Sequence, residues 1–273
     1  MKKPSRQLLA VPVLLAVAML AAACQGGNVP YVSTPEAMVQ KMLRMARVGP
    51  GDVVYDLGSG DGRIVIAAVR DFKATRAVGI DIDPDRIIES LQNAEGAGVT
   101  ERTNFLQKDV FEADFSEATV LTMYLLPRFN LRLRPRIFSE LKPGSRVVSH
   151  QFSMGDWEPD ETARIGTQAA YLWIVPARVG GAWRTTLDGQ DFRIELTQRH
   201  QKIAGAMHAD PGGAAVRLED ATLVGNRLRF AAQVRRGTRT VAMRLDGRVE
   251  GARLTGELTV DGRASRVEAV RID

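Results

Sequence analysis

Between Asp52 and Val175 the chain alternates short, almost wholly apolar runs with longer stretches in which apolar and polar residues mix at helical spacing. The apolar runs predict strands at Asp52–Leu57, Ala77–Ile80, Asn104–Gln107, Ala118–Leu125 and Arg146–Phe152. The mixed stretches predict helices at Arg63–Asp71, Pro84–Ala97 and Arg128–Leu141, the last ended by Lys142-Pro143-Gly144. A further helix is expected at Pro35–Arg47, with Thr34 as N-cap, Pro35 at the first helical position and Gly49-Pro50-Gly51 as its stop. Such alternation predicts an α/β domain with a parallel sheet and helices on both faces. Two final strands, near Ala163–Gln168 and Ala170–Val175, have no helix between them and should form an antiparallel hairpin. They bring the expected sheet to seven strands.

The pattern changes at Val179-Gly180-Gly181. From Trp183 onward, short alternating runs such as "NRLRFAAQV" and "RLTGELTV" are separated by Asp188-Gly189, Gly225-Asn226, Asp246-Gly247, Glu250-Gly251 and Asp261-Gly262. Turn dipeptides at that spacing predict an all-β meander closing into a small barrel or sandwich of roughly eight strands. The expected organisation is a signal peptide with lipobox at 1–24, a tether and lid at 25–34, the seven-stranded Rossmann-like domain at 35–178 and the all-β domain at 181–273.

The N-terminus explains the first of these segments. Lys2, Lys3 and Arg6 precede an apolar run from Leu8 to Ala23 that ends in small residues before Cys24, the only cysteine among 273 residues. A charged segment, an apolar segment and a small-residue cleavage site read as an export signal. The position of Cys24 after Ala21-Ala22-Ala23 resembles a bacterial lipobox, which predicts a lipid-anchored protein of the cell envelope. An uncleaved anchor would orient the rest of the chain the same way, because the positive N-terminal end stays inside. Net charge adds little. Arg178 to Asp273 hold 17 Lys+Arg against 12 Asp+Glu, residues 1–177 hold 20 of each, and no basic block supports nucleic-acid binding. His200 and His208 have no third ligand at metal spacing, so they are read as structural and no metal site is expected.

The chemistry concentrates in "YDLGSGDGR", a strand-to-helix turn with glycines at 58, 60 and 62. That spacing departs from the dinucleotide pattern G-x-G-x-x-G. Asp56 and Asp61 flank the loop and would repel a diphosphate but suit a cationic ligand. Asp81 follows Asp56 by 25 residues, at the end of the second strand, where an acid can bind ribose hydroxyls. S-adenosylmethionine, with its sulfonium and α-ammonium, fits a ligand with a ribose, a cationic group and no diphosphate.

With these residues in place, the chain resembles the class I S-adenosylmethionine-dependent methyltransferases. "VVYDLGSGDGR" is similar to their first motif, "VGIDID" to their second, and "LQKDVFEADF" to the segment whose acid, here Asp109, meets the adenine amine. The resemblance implies that Asp56 anchors the methionine ammonium through the loop of Gly58, Ser59, Gly60 and Asp61. It places Asp81 on the ribose and adds Ile82 and Val110 to the cofactor-binding residues. A narrower resemblance covers roughly Pro30 to Asp160. "PYVSTPEAMVQKML", "YLLPRFNLRLRPRIFSELKPGSRVVSH" and "MGDWEPDE" look like the small protein-lysine methyltransferases, whose mitochondrial members modify the ATP synthase c subunit and the adenine nucleotide translocator. It implies a protein acceptor, and a lid to which Tyr31 and Thr34 contribute cofactor contacts.

The acceptor side offers three candidates, each with two readings. Tyr124 either orients the amine or caps the strand end; His150 either accepts a proton or is structural. Trp157 either walls the acceptor channel or packs in the core. A binding module that keeps the pocket without turnover, and a small-molecule methyltransferase, stay open beside the protein-lysine reading. So does the source of cofactor outside the cytoplasm.

Overall fold

Residues 31–187, 189–209, 212–236 and 239–272 are described by a computed structural model of the chain. The export signal expected at 1–24, Cys24 included, and the tether up to residue 30 lie outside the described residues. The remainder of the N-terminus to Ser33 belongs to a unit distinct from Thr34–Asp273.

The first sheet comprises β1 (Val53–Leu57), β2 (Arg76–Asp81), β3 (Thr103–Gln107), β4 (Val120–Met123), β5 (Arg146–His150), β6 (Glu161–Ile165) and β7 (Gln168–Ile174), in the order 3-2-1-4-5-7-6. β1 pairs in parallel with both β2 and β4, and β7 runs antiparallel between β5 and β6. The chain therefore reverses its winding direction between β1 and β4, which opens a crevice at their carboxyl ends.

Side chains alternate across this sheet and sort into two cores. Val54, Val120 and Val148 face α1 (Glu36–Met45), α2 (Arg63–Arg70) and α3 (Pro84–Gly96), which contribute Met38, Met42 and Ile87. Leu57, Leu121 and Val147 face the other way, onto Leu133 and Ile137 of α4 (Pro127–Glu140). α1 starts at Glu36, its N-cap is Pro35, and no side chain caps it. The expected capping role of Thr34 is thus replaced by another, described below.

The second sheet has nine strands among the described residues, where roughly eight were expected: β8 (Gly181–Leu187), β9 (Gln190–Arg199), β10 (Lys202–Ala209), β11 (Val216–Arg217), β12 (Glu219–Val224), β13 (Arg227–Arg236), β14 (Arg239–Glu250), β15 (Arg253–Val260) and β16 (Arg263–Arg271). Their order is 11-10-9-8-16-15-14-13-12, so only Leu218 separates the two edge strands in the chain. That single-residue link brings the edges together and nearly closes a barrel, the device by which small β domains hide unpaired edges. Inward positions along β14, Val241, Met243, Leu245 and Val249, are buried, while Arg244 and Arg248 between them point to solvent. The arginine-rich outer face follows from this alternation, and Arg227 and Arg229 share Asp246 there.

Ala177 and Val179 pack into the barrel core, so the packing boundary falls just before Ala177. The Ala177 N–H donates to Gly225 O at 2.8 Å, and a Cβ on Gly225 would sit 3.0 Å from Gly144 Cα. The β12–β13 turn is thereby seated directly on the loop before β5.

Within the first sheet, a Cβ at Gly79 would meet Phe105 Cδ1 at 2.6 Å and Ser59 Oγ at 2.7 Å. Gly79→Ala should lower stability by about 1–3 kcal/mol through overpacking. Gly96, at the end of α3 with nothing within 4 Å of its would-be Cβ, is the control: Gly96→Ala should gain about 0.4–1 kcal/mol. Urea midpoints of the two variants check the pair; equal shifts would contradict the packing at β2.

Candidate functional site

The loop from Gly58 to Gly62 is held against the end of β2 by its own backbone. Gly58 and Ser59 N–H donate to Ile80 O at 2.8 and 3.0 Å, and Gly60 N–H donates to Asp81 Oδ2 at 2.8 Å. From outside, α3 takes up the loop's carbonyls: Ser90 Oγ donates to Gly60 O at 2.7 Å and Asn93 Nδ2 to Asp61 O at 2.9 Å. Gly58, Gly60 and Gly62 all have positive φ, a conformation that side chains with a Cβ rarely adopt. At Gly58 there is a second reason, since a Cβ would lie 2.9 Å from Leu125 Cδ2, part of the segment after β4.

Three acids stand at three successive strand ends. Asp56, in β1, is almost completely buried, and Thr122 Oγ1 of β4 donates to its Oδ1 at 2.7 Å. Burial pushes its pKa up to about 7; the Thr122 hydrogen bond opposes this, and the charges of Asp81 and Asp61 add to it. Asp81 ends β2 with each oxygen engaged once, Oδ2 by Gly60 N–H and Oδ1 by Asp83 N–H at 3.0 Å. Every carboxylate oxygen has two lone pairs, so both retain acceptor capacity. Asp109 follows β3, its Oδ1 accepting from Phe111 N–H at 2.9 Å, and Lys108 N–H joins that segment to Asp81 O. Ile82 is 67% exposed, an unusual state for isoleucine, and Val110 is partly buried.

Asp61 differs from this set. Arg63 Nε donates to its two oxygens at 2.9 and 3.0 Å, and Arg63 Nη1 reaches Thr34 O at 2.9 Å. Much of the charge that the sequence offered to a cationic ligand is therefore compensated within the protein. Thr34 is buried, and its Oγ1 lies 3.1 Å from His150 Nδ1 at the end of β5. One residue thus links the helix-proximal side of the loop, through its carbonyl, to β5, through its hydroxyl.

On the β4–β5 side, the Tyr124 ring lies 4.0 Å from the His150 ring and 6.1 Å from that of Phe152. Burial raises the Tyr124 phenol pKa, so it stays protonated. Burial pulls the His150 pKa down to about 4, which leaves a neutral imidazole and a weak base at neutral pH. Its structural reading is the one the geometry favours. Trp157 is fully buried against Phe138 and Trp173, so it packs in the core and does not wall a channel. Tyr31 is exposed and belongs to the N-terminal unit, residues 1–33. His200 stacks on Phe138 and is structural, as expected.

Arg63, Ser90, Asn93 and Thr122 are the residues that the sequence reading passed over. Thr122 carried a signal of its own: a hydroxyl inside a strand whose other residues are apolar and buried asks for a buried polar partner. Ser90 and Asn93 act from a different element, and no local spacing announces them.

These donors and acceptors fit S-adenosylmethionine. A buried carboxyl poised to ionise suits a cation, and a twice-anchored acid with free lone pairs suits vicinal hydroxyls. The Ser59 hydroxyl is buried without a partner among the described residues. Comparison with known proteins bears on the same region. A family model described as the ANTKMT methyltransferase domain matches residues 56–161, ending before the second sheet begins. A protein-lysine N-methyltransferase of Saccharolobus islandicus is 47% identical over 152 residues, which cover 54% of this chain and 94% of that protein. A lysine N-methyltransferase of the ATP synthase c subunit, from Xenopus laevis, is 31% identical over 159 residues, 58% of this chain and 67% of the other. A crystal structure described as an RNA methyltransferase from Salinibacter ruber, in complex with S-adenosyl-L-homocysteine, is 52% identical. It has a TM-score of 0.53 and covers 54% of this chain and 96% of that one.

The raised pKa of Asp56 has a signed consequence. From pH 3.8 upward the unfolded chain gives up this proton, while the folded state keeps it until about pH 7. The ligand-free protein should therefore lose stability as pH rises through that window. Asp56→Asn, which preserves the acceptor for Thr122, should abolish the loss. It should be more stable than the parent by on the order of 4 kcal/mol at pH 8 and no more stable near pH 4. Denaturant unfolding at pH 4.5, 6 and 8 measures this; parallel profiles for the two proteins would contradict a protonated Asp56.

Proposed function

The chain belongs to the ANTKMT methyltransferase family, and on that premise we propose that it methylates the ε-amino nitrogen of lysine side chains in a protein acceptor. It is an S-adenosylmethionine-dependent methyltransferase. The observation that carries the proposal is that Tyr124 follows β4, on one side of the switch point, while Asp56, Asp81 and Asp109 stand at the carboxyl ends of β1, β2 and β3 on the other.

Bound S-adenosylmethionine would supply a methyl group on its sulfonium sulfur, with the neutral thioether as leaving group. Asp81 would accept from the ribose hydroxyls with the lone pairs left by its two backbone donors. Asp109 would meet the adenine amine, with Ile82 and Val110 against the base. Gly58, Ser59 and Gly60 would let the backbone approach the methionine end, and Asp56 would balance its ammonium. Asp61 shapes the loop through Arg63, while Tyr31 and Thr34 are the contacts proposed from the lid. On the acceptor side, the Tyr124 hydroxyl would accept an N–H of the amine and its ring would pack on the alkyl stem. Desolvation beside Leu125 and Leu126 favours the neutral amine, so its proton passes to water as the ammonium is stripped of solvent. The weak basicity of buried His150 suits it to setting the Tyr124 ring and not to taking that proton.

Labelled methyl transfer tests this reading. The full-length protein, incubated with methyl-labelled S-adenosylmethionine and an envelope extract, should deposit label as methyl-lysine in protein. Asp81→Ala should weaken cofactor affinity by about 1–3 kcal/mol, the effect of a lost buried hydrogen-bonding group, and reduce labelling in proportion. Label in RNA would refute the protein-acceptor reading and follow the description of the Salinibacter ruber relative. Cofactor binding without transfer to any fraction would leave a binding module.

Residues 1–24 support a second part of the proposal, that the protein is an envelope lipoprotein anchored through Cys24. Among the described residues no helix is long and apolar enough to cross a membrane. Cys24→Ser should leave an unlipidated precursor while the parent partitions with membranes. Recovery of both in the soluble cytoplasmic fraction would refute the anchor.

A further inference from the structure

The barrel touches the first sheet at a place that matters for the acceptor side. The two-residue turn between β9 and β10, His200-Gln201, meets the irregular segment from Phe152 to Glu158 that follows β5. Arg199 Nη2 donates to Asp156 Oδ2 at 2.9 Å, while Arg134 of α4 binds the other oxygen of the same carboxylate. Lys202 Nζ reaches Glu158 Oε1 at 2.6 Å, and Gln201 Nε2 donates to Glu158 O at 2.7 Å. The His200 ring lies parallel to Phe138 at 5.4 Å and 6.2 Å from Trp157.

These contacts differ in kind. Asp156, Glu158, Arg199 and Lys202 are largely exposed, so their ion pairs hold the turn in register more than they stabilise it. The stack of His200 on Phe138 adds an apolar contact beside them and takes surface from water. His200 has φ +53°, the left-handed conformation that a two-residue hairpin turn takes at its first central position. The segment so gripped leads straight to the site. Arg134 Nη1 also donates to Met154 O at 2.8 Å, Asn130 Nδ2 donates to Ser149 Oγ and Phe152 O at 3.1 and 3.2 Å, and the Phe152 ring stacks on Tyr124. The cofactor loop is braced from elsewhere, by Ile80 and Asp81 of β2, Ser90 and Asn93 of α3, and Thr34 through Arg63.

We propose that the β9–β10 turn of the barrel is a positioning element for the acceptor side: it fixes the Phe152–Glu158 segment, and through Phe152 the Tyr124 ring, without acting on cofactor binding. The proposal rests on the reading of Tyr124 as the acceptor side. Arg199 and Lys202 are positioning residues in this scheme, and neither touches a reacting atom.

The test reverses the two charges in the full-length protein, Arg199→Glu with Lys202→Glu, so that the turn repels Asp156 and Glu158. Amide hydrogen exchange in peptides spanning 152–158 and 124–127 should quicken at least fivefold. Exchange at 56–62 and calorimetric affinity for S-adenosylmethionine should stay within twofold. Adding Glu158→Lys should return most of the protection. With polylysine as acceptor, KM for polylysine should rise several-fold while KM for the cofactor holds. Unchanged exchange at 152–158 would overturn the proposal, as would equal loosening at 56–62 or a matching loss of cofactor affinity. If the parent protein fails to methylate polylysine, the acceptor reading is weakened, and the exchange and affinity measurements still decide the role of the turn.

Discussion

Asp56 is taken out of water at the end of β1 with the Thr122 hydroxyl as its hydrogen-bond partner, and the carboxyl of Asp81 adds to the difficulty of ionising it. A bare carboxylate in that position would be expensive to hold, so the ligand-free site keeps a proton there. The neighbouring arrangements follow from the same constraint. Asp61 cannot add a third free charge and is tied down by Arg63, while Asp81 is steadied by two backbone N–H groups. What remains are strand ends rich in carboxyl groups, the condition that suits a sulfonium-bearing, ammonium-bearing ligand.

Much of the first sheet could be read from the chain because its central strands β1, β2 and β4 are buried on both faces and appear as near-continuous apolar runs, each followed by a helix with its own start or stop signal. Asp56 and Asp81 were legible for a related reason, since each stands at the end of such a run, whereas Asp109 follows the polar Gln107-Lys108 and was named from the family resemblance. Thr34 was misread because its spacing before Pro35 fits a helix cap. The competing partner, His150, lies 116 positions away, and no local rule could have weighed it. For Trp157 the sequence left packing and a channel wall open, and the burial that decides for packing comes from Phe138 of α4 and Trp173 of β7, distant in the chain. In the barrel, alternation and turn dipeptides gave the class of fold, but Asp246-Gly247, read as a turn, lies inside β14, paired on both sides. The two-residue β11 is too short to register as a strand, which accounts for the ninth.

The second sheet also changes how the first one is completed. Its α4 face is covered by one helix and by loop segments, in contrast to the three helices on the opposite face. Phe138 and Trp157 would lie under solvent on that side if His200 did not stack there. The barrel therefore supplies cover that the βα pattern omits, and it does so beside the segment after β5 and not beside the glycine loop.

The seat of Gly225 on Gly144 gives this association a second point of purchase. A body attached at one spot can swivel about it; one attached by two turns from different parts of its wall cannot, unless both let go. The glycine contact is tight, with 3.0 Å between a Cβ placed on Gly225 and Gly144 Cα, while the charged β9–β10 turn at the other point can yield to a change in ionic surroundings. Over evolutionary time this sets different tolerances: length changes in the β12–β13 turn would shift the whole barrel, whereas residues around the β9–β10 turn can drift in charge so long as their partners drift with them.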